Sequence, residues 1–191
     1  MAEKETPQQG HAFTRAFGRF AFRLLGFHFE GTYPEDASHY VMIVAPHTSN
    51  WDFVVGLMAK WALGLHVRFL AKHTLFKWPL GVFLRFWGGF PVDRRAAVGM
   101  VESAALAFAN SRQFALVITP EGTRGKTEAW KSGFYRIAHA AGVPILPVAF
   151  DYQKRALVFA PLFFPTGDYE NDLPKLQAHF SAQMARHPAS Y

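Results

Sequence analysis

The chain has 191 residues, half of them apolar, enough for one domain with a substantial core and too few for a second large one. It has no cysteine, which excludes a disulfide framework, a thiolate metal site and a cysteine nucleophile. A formal net charge of +6 combined with 20 Phe, 5 Trp and 6 Tyr suits either an anionic membrane surface or single-stranded nucleic acid.

Met1 to Gly10 is polar with mixed charge and lacks the apolar centre of a signal peptide, so no export is expected. From His11 to Phe27, Phe13, Phe17, Phe20 and Leu24 repeat at helical spacing, while Arg15, Arg19 and Arg23 recur every fourth residue on another side. The segment reads as an amphipathic helix, lying at a lipid interface or packing its phenylalanines on the domain. Strands are predicted over Tyr40–Ala45, Val67–Ala71, Phe114–Thr119, Ile145–Tyr152 and Ala156–Ala160, with helices over Trp51–Leu63, Arg95–Asn110, Lys131–Ala141 and Leu173–His187. Gly64 stops the first of these helices, and Pro174 is allowed at the start of the last. Trp78 to Val92 is apolar but broken by Arg85 and three glycines; it suits a lipid contact, an acyl groove or a core helix. No apolar run reaches the roughly 20 residues that span a bilayer. The alternation predicts a single α/β layered domain with a mixed, largely buried sheet flanked by helices, plus the N-terminal amphipathic helix. Residues 1–30 form the polar N-terminus and interfacial helix, and 31–191 the main domain. The tail from Gly167 onward reads as peripheral.

His47 and Asp52 follow directly on the Tyr40–Val44 run, so a strand would deliver an imidazole to a sheet edge. Residues five apart on a regular helix diverge by about 140°, so the pair meets only if Thr48 to Trp51 turn. Ser49 and Asn50 suit that turn, and either can cap a helix from Trp51. Held so, the imidazole is a general base; otherwise His47 is a loop histidine and Asp52 a helix-dipole partner. A second polar turn, Pro120-Glu121-Gly122-Thr123-Arg124-Gly125-Lys126, follows the strand Phe114–Ile118. There Gly122 and Gly125 allow close backbone approach, Arg124 and Lys126 offer charge for a phosphate, and Glu121 can orient a basic group or a substrate hydroxyl. Asp93-Arg94-Arg95 after Gly88-Gly89-Phe90-Pro91-Val92 places guanidinium groups beyond an apolar segment, as a phosphate fork or a surface ion pair. The histidines show no metal-ligand spacing, so no metal is expected.

In order, His47-x4-Asp52, Gly88–Arg94, Pro120–Arg124 and Val143-Pro144-Ile145-Leu146-Pro147-Val148 resemble the four sequence blocks of the glycerolipid acyltransferases, the 1-acylglycerol-3-phosphate acyltransferase family. The resemblance covers about residues 40–150. It implies acyl transfer from acyl-CoA or acyl-carrier protein, with no cofactor, to a hydroxyl of a lysophospholipid, 1-acylglycerol-3-phosphate first, giving phosphatidic acid. It assigns His47 and Asp52 to catalysis, and Arg94 with Glu121, Gly122, Thr123 and Arg124 to the phosphate-bearing acceptor, Lys126 standing beside them. Many members carry Asn before the histidine, where this chain has Pro46, which bears on the acceptor. The same chemistry on another hydroxyl lipid is the alternative, and a non-catalytic membrane or nucleic-acid binder a remote one. The resemblance implies a peripheral protein on the cytoplasmic face of a membrane, with no nucleic-acid partner.

Overall fold

A computed structural model describes residues 11–92, 97–127 and 129–191. The elements in chain order are α1 (Ala12–Leu24), β1 (His28–Glu30), β2 (His39–Ala45), α2 (Trp51–Leu63), β3 (Val67–Lys72), α3 (Leu80–Phe86), β4 (Gly89–Val92), α4 (Ala97–Ala109), β5 (Phe114–Ile118), α5 (Gly133–Ala141), β6 (Ile145–Asp151), β7 (Ala156–Phe159) and α6 (Tyr169–Gln177). Seven strands form one sheet in the order β1-β7-β6-β2-β5-β3-β4. Every pairing is parallel except β6 with β7, the antiparallel return expected from Ile145 to Ala160.

The central strands are apolar on both faces because both are covered. Alternation along β2 sends Tyr40, Met42 and Val44 to one core, with Phe22 of α1 and Val55 of α2. It sends Val41, Ile43 and Ala45 to the other, with Phe108 of α4 and Phe134 and Ile137 of α5. Buried side chains of this size contribute about 1.5–3 kcal/mol each.

Helix α1 lies on α2 through its least bulky point. A Cβ on Gly18 would come within 2.5 Å of the Ala62 backbone nitrogen, so glycine permits the close approach. Phe22 is buried beneath, whereas Phe13 (80% exposed), Phe17, Phe20 and Leu24 face outward. Of the stripe, Phe17 packs its ring on Trp61 of α2, 6.0 Å between centroids, whereas Phe13, Phe20 and Leu24 stay largely exposed.

Two expectations are corrected, the last helix and the tail, and the middle of the chain gains detail. The apolar stretch Trp78–Val92 divides into α3 and β4, and neither β4 nor β1 had been predicted. The last helix begins at Tyr169 rather than Leu173 and ends at Gln177, with Pro174 inside it. Its start is set by Asp168, whose side chain accepts the Asn171 N–H. The tail is not peripheral, since the His187 N–H donates to Thr48 Oγ1 at 3.2 Å beside His47. As expected, α2 ends on Gly64 in the left-handed conformation, φ 70°.

Candidate active site

Strands β2 and β5 are parallel neighbours, so the turns after Ala45 and Ile118 emerge at the same edge of the sheet. Open α/β sheets bind ligands at such carboxyl ends. The Thr48–Trp51 turn forms as the His47–Asp52 pairing requires: the Asp52 N–H donates to Ser49 O and the Phe53 N–H to Asn50 O. Asn50 occupies the cap position without a side-chain bond, and Ser49 Oγ instead accepts the Trp51 N–H at 3.2 Å.

Asp52, 2% exposed, organises the turn. Its Oδ2 accepts the Thr48 and Ser49 N–H groups, each at 2.9 Å. Its Oδ1 accepts the Tyr152 hydroxyl at 2.6 Å. His47 Nδ1 lies 3.1 Å from Oδ2. That approach is bent, and no acceptor lies along the Nδ1–H direction, so the carboxylate acts on the ring by charge and proximity more than by an aligned bond. It favours the proton on Nδ1, leaves the Nε2 lone pair for a substrate, and stabilises an imidazolium once formed. Burial, followed by the Asp52 carboxylate, pushes the Tyr152 phenol far above its ordinary value, so it stays a donor.

The β5 turn is tied to the same loop. Glu121, 1% exposed, accepts the His47 backbone N–H on Oε1 at 2.9 Å. Burial pushes its carboxyl up; the His47 N–H and ring oppose this, and Asp52 adds to it. Arg186 stacks over the rings of Trp51 and Tyr152 at 5.0 and 5.8 Å. Neither Tyr152 nor Arg186 stands out in the sequence. Tyr152 lies 100 residues from its acceptor, and only the sheet register could have shown the pairing.

Behind His47 a cavity of about 730 Å³ runs between α2 and the sheet. His47, Asp52, Gly122, Thr123 and Arg124 line it, and Met42, Val44, Val148, Phe150 and Phe159 make it apolar. Of the expected acceptor residues, Gly122, Thr123 and Arg124 thus share a cavity with His47, Glu121 braces the His47 loop, and Lys126 is exposed and outside the lining. Strand β4 ends at Val92 on this same edge, but Arg94 lies outside the described residues. Among the described residues no group of three His, Asp or Glu side chains could hold a metal ion.

Residues 26–151 match the family model described as Acyltransferase. The chain belongs to the Acyltransferase family. It is 31% identical over 150 residues to a 1-acyl-sn-glycerol-3-phosphate acyltransferase of Salmonella typhimurium, covering 74% of this chain and 60% of the relative. The Escherichia coli enzyme of the same description is 30% identical over 151 residues, with the same coverage. The chain thus spans about 60% of the length of these curated relatives. The crystal structure of the 1-acyl-sn-glycerophosphate (LPA) acyltransferase PlsC from Thermotoga maritima shares the fold, with TM-score 0.63 and 22% identity over 87% of this chain and 75% of that one. The His47-x4-Asp52 spacing fits the HX4D motif of the Acyltransferase family and falls inside the matched residues.

Proposed function

We propose that the protein transfers an acyl group from acyl-CoA or acyl-carrier protein to the free hydroxyl of a lysophospholipid, with 1-acylglycerol-3-phosphate as the first acceptor. The observation that carries this reading is the His47 ring, backed by a buried carboxylate, at the mouth of an apolar cavity. His47 Nε2 takes the hydroxyl proton as the acceptor oxygen attacks the thioester carbonyl carbon. The carbon–sulfur bond then breaks, and the departing thiolate takes the proton from the imidazolium, so the base is restored. Asp52 holds the ring tautomer and the transient positive charge. The acyl chain lies in the cavity. Arg124, with Gly122 and Thr123, meets the acceptor phosphate at the mouth, Glu121 contributes through its hold on the loop, and Lys126 and Arg94 complete the acceptor set.

An acceptor of another kind, a hydroxyl lipid without this phosphate, is the second reading. It is favoured by Arg124 being the one exposed cation of this turn, among the described residues, on the cavity wall.

The protein works peripherally at the cytoplasmic face of a membrane, with the exposed side of α1 toward lipid and the sheet with its flanking helices as the catalytic domain. Support comes from the outward stripe Phe13, Phe17, Phe20 and Leu24 and from a second exposed apolar patch of Trp78, Val82, Phe83 and Phe86. No helix among the described residues is long and apolar enough to cross a membrane.

The test is thiol release from acyl-CoA and acyl-carrier protein across an acceptor panel, with and without liposomes. 1-Acylglycerol-3-phosphate should be turned over, and His47→Ala should lose at least about 10²-fold in kcat while keeping its Tm. Undiminished turnover in His47→Ala, or no thiol release with any hydroxyl lipid, overturns the reading.

A further inference from the structure

The cavity behind His47 changes character with depth. Eight residues beyond Asp52 on α2, and so ~12 Å farther along the helix axis, Lys60 reaches the cavity wall among Leu63, Leu65, Val67 and Leu84. It is 8% exposed. Its ammonium donates to the Trp87 main-chain oxygen at 2.5 Å. A lysine ammonium has three N–H donors, and among the described residues this is its one hydrogen bond, with no carboxylate at ion-pair distance. Burial, then the charge of Arg68, pushes its pKa down to about 8, and the same two cations, after burial, lower that of His66. The deep end is therefore a positive, donor-rich spot within apolar walls. An alkyl terminus pressed against it would leave buried N–H groups without an acceptor, whereas an oxygen would satisfy them.

We propose that Lys60 is a specificity-determining residue that selects a medium-length acyl chain bearing a hydrogen-bond-accepting oxygen, a hydroxyl or a carboxylate, at its far end. The ~12 Å span falls short of the ~15 Å of hydrocarbon in one bilayer leaflet, which sets the length class. This rests on the cavity being the acyl site of the function proposed above.

The test titrates the full-length protein with decanoate, ω-hydroxydecanoate and decanedioate by calorimetry, then assays the matching CoA thioesters for thiol release. Wild type should bind both oxygenated chains about tenfold more tightly than decanoate, the worth of one hydrogen bond. Lys60→Met should reverse that order. Lys60→Gln, which keeps an N–H donor for Trp87, should retain the preference for the hydroxyl and lose that for the carboxylate. Thermal melts establish that each variant is folded; if Lys60→Met is not, the wild-type and Lys60→Gln rankings decide. Preference for decanoate in wild type, or one ranking across wild type and variants, overturns the assignment. A Lys60-dependent ranking in binding without turnover of any thioester supports the assignment and overturns the transferase reading, whereas turnover without chain preference does the reverse.

Discussion

Removing one hydroxyl from Tyr152 tests whether Asp52 must be held from the turn after β6 for the site to work. In Tyr152→Phe the ring keeps its edge contact with Phe27, 5.3 Å between centroids, and its place under Arg186, so the loss falls on the hydroxyl: its 2.6 Å O–H···O bond onto Asp52 and its weaker contact with the Arg186 side chain. The acceptor is a carboxylate 2% exposed, and a hydrogen bond to a charged group contributes about 1.5–3 kcal/mol. In a chain of this size each kcal/mol moves Tm by about 2–4 °C, so a fall of about 3–12 °C is expected. Asp52 loses the partner fixing its far oxygen, and the His47 ring loses some of its positioning; small misplacements of this kind cost up to about 10²-fold in rate. Tyr152 does not line the cavity, so kcat should fall by about 10- to 10²-fold with KM almost unchanged. Melting curves and initial rates of thiol release measure both. An unchanged Tm together with an unchanged kcat would falsify a positioning role of Tyr152 toward the Asp52 carboxylate.

Four further outcomes are expected. Gly56 sits on the cavity-facing side of α2, and a Cβ there would meet the Phe150 ring at an ordinary 3.5 Å, so Gly56→Ala should gain about 0.5–1 kcal/mol in chemical denaturation. Gly56→Phe should stay folded but shift donor preference to short chains in a thioester panel; an unaltered chain-length profile would remove the cavity from acyl binding. Arg124→Ala should raise KM for a phosphate acceptor by an amount equivalent to about 1.5–3 kcal/mol and leave that for a phosphate-free acceptor alone, as measured by paired acceptor titrations. Asp172 is fully buried; burial alone would raise its pKa, but the Thr166 N–H, the Tyr135 and Thr166 hydroxyls and Lys175 outweigh this and hold it at about 2. Because the folded value lies below the unfolded one, its contribution is complete above about pH 5 and fades as pH falls to 2, a loss of about 2 kcal/mol. Urea unfolding across that range should show this extra acid dependence in wild type and not in Asp172→Asn.

The middle of the sheet was readable because β2, β5 and β6 are continuous apolar runs bounded by turns, a pattern that follows from covering on both faces. The edge strands were not. β1 has three residues and β4 four, and the Gly-Pro content of β4 runs against strand propensity, so their pairing is imposed by their neighbours. The last helix was misplaced because its beginning depends on the Asp168 cap rather than on an apolar period. In the site, His47, Ser49 and Asp52 were visible because their geometry is local to one turn. Glu121 was noticed for its charge, but its bond to the His47 main chain spans 74 residues, and that of Tyr152 to Asp52 spans 100. Such contacts depend on which strands become neighbours, and no local spacing encodes that.

Met42, Val44, Ala59, Val148, Phe150 and Phe159 belong to the core on the α1–α2 side and also line the cavity. The core on the α5 side, around Ile43, Phe134 and Ile137, shares none of its buried members with that lining. On the first side, therefore, a change that repacks the interior also redraws the cavity wall, so under the proposed function thermostability and donor choice drift together. The opposite side can be rebuilt for heat resistance with little effect on the cavity, and engineering for stability should begin there.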